Sequence, residues 1–97
     1  MIRSFRNKGT ENVFDGTESN AARSTCPPQL WERARRKLDQ INRVPDLAAL
    51  RVPPGNHREA LRGKRRGQHS IRISDQYRIC FKWAEDGAHD VELVDYH

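Results

Sequence analysis

The stretch "SIRISDQYRICFKW", residues 70–83, decides the fold. Apolar and polar residues alternate through both of its halves. Ile71 and Ile73 oppose Ser70, Arg72 and Ser74, and Tyr77, Ile79, Phe81 and Trp83 then oppose Arg78, Cys80 and Lys82. A period of two is that of a strand with one buried face, and the β-branched and aromatic residues suit it. The intervening "SDQ" is short enough to close a hairpin. Two strands with an apolar face are not stable alone and require a covering layer.

The flanking segments supply that layer. Towards the C-terminus, "AEDGAHD" (84–90) reads as a loop and "VELVDY" (91–96) as a further strand, Val91 and Leu93 on one side and Glu92, Val94 and Tyr96 on the other. Towards the N-terminus, "PPQLWERARRKLDQI" (27–41) carries Leu30, Ala34, Leu38 and Ile41 at the spacing of one helical face, with Trp31 beside them. Pro28 suits its first turn, and Glu32, Arg33, Arg35, Arg36 and Lys37 form a solvated exterior. "DLAAL" (46–50) predicts a single turn capped by Asp46. "RVPPGNH" (51–57) breaks regular structure, because two prolines and a glycine suit neither a helix interior nor a central strand. "TENVF" (10–14) predicts a brief helix stopping at the turn formers "DGTESN" (15–20), and "MIRSFR" (1–6) a short strand. The sum is an α+β chain, with N-terminal helices packed on one face of a twisted antiparallel sheet.

At 97 residues the chain has the length of one small domain, residues 1–97. A hydrophobic share of 35% beside a charged share of 32% allows a modest core under a highly charged surface. No run approaches the roughly 18 apolar residues of a membrane span. The start "MIRSFRNKGTENVF" lacks the apolar centre of a secretion signal. These features predict a cytoplasmic protein without membrane contact. Cys26 and Cys80 are a distant pair without metal-ligand spacing and read as reduced thiols.

Of the net charge of +5, the distribution matters most. Residues 51–72 hold seven basic residues and one acid, whereas 73–97 hold two basic residues and six acids. The segment "LRGKRRGQHSIR" (61–72) has the electrostatic character of a phosphate-binding patch, and equally of a solvated charged loop. If the polar face of the sheet is open, Arg72 and Arg78 project from adjacent strands. Arg62, Lys64, Arg65 and Arg66 then lie at one end, and Asp95, Tyr96 and His97 supply groups able to move protons. Those are the parts required to cleave RNA without a metal: a base for the 2′-hydroxyl, fixed positive charge for the phosphorane, and an acid for the leaving 5′-oxygen. Imidazole titrates near neutrality and guanidinium grips phosphate with two donors. His57, His69 and His89 have no metal-ligand spacing. Taken alone, these residues define a basic α+β domain suited to nucleic acid.

The opening "MIRSF", the block "PPGNHREALRGKRRGQHSIRISDQYRICFKW" (53–83) and the ending "VELVDYH" (91–97) resemble the HigB-type toxins of bacterial toxin–antitoxin systems, a branch of the RelE/ParE superfamily. The resemblance is strongest from Pro53 to His97. It implies a RelE-like microbial ribonuclease fold whose concave basic face enters the ribosomal A site and cuts messenger RNA through a 2′,3′-cyclic phosphate, without metal or cofactor. The family's terminal acid, tyrosine and histidine match Asp95, Tyr96 and His97, so that this ending belongs to the site, and its phosphate-binding strand arginine matches Arg78. The chain departs from the pattern at one point. Some active members carry a histidine and a lysine three positions apart where Glu59 and Arg62 stand here. Arg62 keeps the charge but does not readily lose a proton, so Glu59 or the nearby His57 would have to substitute, the two pointing the same way if that segment is extended.

The expected catalytic set is therefore Glu59, Arg62, Arg78, Asp95, Tyr96 and His97, with His57, Lys64, Arg65, Arg66 and Arg72 holding ribosomal or messenger phosphate. The resemblance further implies a HigA-like antitoxin with a helix-turn-helix as partner, and operator DNA reached only through that complex. Two rivals share the fold or the charge: a ParE-like inhibitor of DNA gyrase without nuclease activity, and a non-catalytic nucleic-acid-binding module.

Overall fold

Local chemistry sets the helix ends in the computed structural model, which describes residues 1–96. Helix α1, Lys8–Asp15, begins where Asn7 accepts from the Thr10 N–H at 2.8 Å, and stops at Gly16 with φ +77°. Helix α2, Asn20–Thr25, begins at Ser19, whose hydroxyl accepts from the Ala22 N–H at 3.0 Å. The two cross at Gly9, where an added Cβ would fall 1.8 Å from Thr25 Oγ1. A 3-10 turn, Pro28–Leu30, leads into α3, Trp31–Arg43. Ala34, Leu38 and Ile41 are buried along one side of α3 as their spacing predicts, but the first core position of that face is Trp31 and not Leu30, which belongs to the preceding 3-10 turn and is only partly buried.

The sheet has the order β1-β2-β3-β4, every pair antiparallel. Its strands are β1 (Glu59–Ala60), β2 (Gln68–Arg72), β3 (Tyr77–Ala84) and β4 (Gly87–Asp95). The β2–β3 hairpin has Arg72 opposite Arg78, and the N–H groups of Ile73 and Ser74 both reach the Tyr77 carbonyl. Ile71, Ile79, Phe81, Val91 and Leu93 meet Val13, Leu38, Ile41 and Leu50 in one contiguous core. Each such side chain contributes about 1.5–3 kcal/mol by leaving water. The helices thus cover one face of the sheet, and the face bearing Ser70, Arg78 and Glu92 is left open.

Four details differ from the sequence reading. "AEDGAHD" is mostly strand: the chain turns tightly after Ala84, and β4 resumes at Gly87. A bulge then follows, because Cys80 pairs with Glu92 while Lys82 pairs with His89, and Asp90 takes φ +52°. The extra residue brings Ala88 and Val91, three apart, to the same buried side. "MIRSFR" makes only two parallel bridges beside β4, Ile2 to Ala88 and Phe5 to Val91. Helix α2 and strand β1 are additional elements. Both are too short for periodicity to reveal, and capping or pairing defines them.

The loop before β1 is held by a buried asparagine. The Asn56 amide donates to the Leu50 carbonyl at 3.0 Å, the Val52 carbonyl at 3.3 Å and Gln40 Oε1 at 3.1 Å, while its oxygen accepts from Lys37 Nζ. Asp46 caps the preceding turn as expected, accepting from the Ala49 N–H at 3.0 Å. His57, after Asn56, lies in the left-handed region at φ +44°, so the segment is not extended and the expected alignment of His57 with Glu59 is not formed.

Candidate functional site

Arg78 organises the open face. Its position on β3 follows from the alternation that buries Ile79, and only 11% of its side chain is exposed. Nε donates to Ser70 Oγ at 2.9 Å and Nη2 to the His57 carbonyl at 2.6 Å. Glu59 Oε1 lies 3.9 Å from Nη2, and the Tyr96 ring centroid 5.7 Å from Cζ. Ser70 is completely buried, so its hydroxyl cannot exchange partners with water and holds the guanidinium plane. The left-handed turn at His57 aims the carbonyl, and not the imidazole, at this arginine. A guanidinium has five N–H donors. With two of them anchored and the ring of Tyr96 alongside, the plane is fixed before any ligand arrives.

A second cluster adjoins it. Gln68, two residues before Ser70 on β2, accepts from Arg65 Nη1 at 3.1 Å through its side-chain oxygen. The same nitrogen lies 3.2 Å from Glu92 Oε1, and Arg6 Nε 3.7 Å from that oxygen. Arg6, Lys64, Arg65, Gln68 and Glu92 line a cleft of about 310 Å³.

The expected residues are thus only partly assembled. Glu59, Arg78, Tyr96 and the backbone of His57 converge. Arg65 and Lys64 meet in the neighbouring cleft, while Arg62 and Arg66 are exposed on the loop between β1 and β2. Arg72 is ion-paired with Asp75 of its own hairpin. Asp95 pairs in register with Tyr77, whose side chain packs towards the core, and its carboxylate accepts from Gln76 Nε2 at 3.1 Å. Strand alternation therefore puts Asp95 and Tyr96 on opposite faces. Burial, with the Asp95 charge second, raises the Tyr77 phenol above its usual range. His97 lies outside the described residues.

Ser70, Gln68, Glu92 and Arg6 were not among the expected site residues. The alternation of Ser70 with Arg72 signalled the first of them. Arg6 carried no signal, because its place depends on the N-terminal segment lying beside β4. Among the described residues no group of three or more histidine, cysteine or acidic side chains is arranged to hold a metal. Cys80 shares the open-face row but is fully buried, and burial raises its thiol above the usual value. No helix is long and apolar enough to cross a membrane among these residues.

Comparison with known proteins agrees with this architecture. Residues 3–97 match the family described as HigB-like toxin, the RelE-like toxin HigB of type II toxin–antitoxin systems. Toxin HigB-1 of Vibrio cholerae is 32% identical over 85 residues, covering 88% of this chain and 86% of the relative. A protein of Proteus vulgaris named Endoribonuclease HigB is 28% identical over 102 residues and the full length of both chains. Among solved structures, a chain of the YoeB-YefM complex from Staphylococcus aureus superimposes with a TM-score of 0.60 at 14% identity, covering 100% of this chain and 98% of that one. That likeness establishes the shared fold of helices on a four-stranded antiparallel sheet. With its family match over nearly the whole chain, the protein belongs to the HigB-like, RelE-type toxins of type II toxin–antitoxin systems.

Proposed function

We propose that this toxin is a ribosome-dependent endoribonuclease that cuts messenger RNA in the A site by metal-independent attack of a ribose 2′-hydroxyl on the adjacent phosphate. The observation that carries the reading is the immobilised guanidinium of Arg78 on the open face, with Tyr96 against it and Glu59 at its edge. A planar cation fixed in advance stabilises charge that develops on the phosphorane without reorganising as it forms. Tyr96 offers a face on which a base or ribose stacks. Glu59 accepts the 2′-hydroxyl proton beside the phosphate that Arg78 holds, and the leaving 5′-oxygen takes a proton from His97, since Asp95 lies on the opposite face of the sheet. Arg62, Lys64, Arg66 and Arg72 attract messenger and ribosomal phosphate over a longer range.

A helix-turn-helix antitoxin is the partner that membership of this toxin family supports, and operator DNA is reached through it. The name borne by the Proteus vulgaris relative supports the nuclease chemistry.

The test is mapping of messenger 5′ ends in a purified translation mixture, with and without ribosomes. New 5′-hydroxyl ends at A-site codons only when ribosomes are present are the expected result. Cleavage of free RNA would make the protein a general ribonuclease. Intact messengers accompanied by gyrase-dependent DNA breaks would move it to the ParE-like activity. Replacing His97 by Ala should slow cleavage by roughly 10²-fold if it transfers a proton, and unchanged cleavage removes it from the mechanism.

A further inference from the structure

We infer that the cleft formed by Arg6, Lys64, Arg65 and Gln68 is a second nucleotide subsite, holding the backbone phosphate next to the one gripped by Arg78. The inference rests on the nuclease reading above and adds a substrate-binding position to it.

Glu92 is the organising group. Only 17% of its side chain is exposed, and a single carboxylate oxygen faces both Arg65, at 3.2 Å, and Arg6, at 3.7 Å. One negative charge is thereby shared among the two guanidiniums and the nearby Lys64 ammonium, which leaves the cleft cationic. The contacts to Glu92 and Gln68 orient the Arg65 fork but use only part of its donor set, so the remaining N–H groups are available to an anion. At about 310 Å³ the cleft has room for a phosphate with part of its ribose.

Spacing ties it to the first site. Arg78 is anchored on Ser70 and Arg65 on Gln68, two residues apart on β2. Two residues of strand span about 7 Å, a step comparable with that between successive phosphates of an extended RNA strand. The row Glu59, Ser70, Cys80 and Glu92 crosses all four strands through the first of these anchors, and the β2–β3 register, with Gln68 opposite Lys82, fixes the second two residues along. Arg6 completes the far wall because its N–H donates to the Val91 carbonyl at 3.0 Å, which sets it beside Glu92. A charge from the N-terminal segment thus reaches a site that is otherwise built from the C-terminal half of the chain.

The decisive experiment measures binding of 2′-O-methyl oligoribonucleotides, whose blocked hydroxyl prevents cleavage, by fluorescence anisotropy across a salt series. Probes carrying one and two internal phosphates are compared. Wild type should bind the two-phosphate probe more tightly. Arg6→Ala and, separately, Lys64→Ala should each weaken that probe by roughly 3- to 10-fold and flatten the slope of log affinity against log salt by about 0.7, leaving the one-phosphate probe unaffected. Arg23→Ala, which removes an equal charge from α2, should leave both unchanged. Arg6 is 57% exposed on its side chain, so its loss spares the fold. If both variants bind the two-phosphate probe like wild type while A-site cleavage persists, the subsite is refuted and the nuclease reading stands. If neither probe binds and no ribosome-dependent ends appear, both fall. Competition by an acidic peptide but not by either RNA probe would reassign the cleft to a protein partner.

Discussion

The guanidinium carbon of Arg78 lies 5.7 Å from the centroid of the Tyr96 ring, on the side of the sheet opposite the core. A cation against an aromatic face contributes about 0.5–1 kcal/mol where exposed and up to about 2 when dry. Tyr96 is 39% exposed, so the lower end applies before substrate binds and the higher end once a nucleotide covers it. Tyr96→Phe should therefore keep most ribosome-dependent cleavage, whereas Tyr96→Ala should lose roughly 5- to 30-fold. Equal losses in the two variants would assign the work to the hydroxyl and not to the ring.

Ser70 should matter through Arg78. Arg78→Ala removes the phosphorane's fixed cation, for which a loss of roughly 10²–10³-fold in turnover is expected. Ser70→Ala retains the cation but frees its Nε anchor, and a loss of roughly tenfold is expected. Single-turnover cleavage on ribosomes reads both. Ser70→Thr, which restores a hydroxyl, should recover part of the rate, and a failure of Ser70→Ala to slow cleavage would separate Ser70 from the site.

Asn56→Ala should be a stability variant. It removes three donated hydrogen bonds from a fully buried amide, leaves the Leu50 carbonyl without that donor, and takes the acceptor from the half-buried Lys37. Buried groups stripped of a partner cost about 1–3 kcal/mol. For a chain of this size each kcal/mol lowers Tm by about 4–8 °C, which calorimetry resolves. Because the same loop aims the His57 carbonyl at Arg78, activity measured well below the new Tm should also fall.

His69 predicts an acid-sensitive fold. Its Nδ1 lies 3.2 Å from Arg58 Nη1, and guanidinium only donates, so the imidazole accepts there and is neutral. Burial, and then the Arg58 charge, hold its pKa below the ordinary 6.5. The unfolded chain therefore binds a proton at a pH where the folded one does not. This contribution is complete above about pH 6.5 and is lost as pH falls through the lower folded value. Urea midpoints at about pH 7.5 and pH 5 should diverge more for wild type than for His69→Gln, which keeps an acceptor but does not titrate. Equal divergence would place the acid sensitivity elsewhere.

Much of this was legible in the chain because it is local. Alternation in residues 70–83 and the helical spacing of Ala34, Leu38 and Ile41 determine their elements and buried sides, since in a strand a slip of one residue would expose every apolar side chain. The same alternation identified Arg78 as an open-face arginine, and the cap at Asp46 followed from a single side chain. What tertiary structure decided is where separate segments meet. The bulge at Asp90 offsets the register of β4, and the parallel run of residues 2–5 beside that strand brings Arg6 to Glu92, 86 positions away. The left-handed turn at His57 makes its carbonyl a partner of Arg78 and breaks the expected alignment with Glu59, and strand parity parts Asp95 from Tyr96. Residue type and spacing specify what a segment buries, because burial depends on its own period. Which polar groups then share a site depends on register and crossing between distant segments, and no local pattern encodes that.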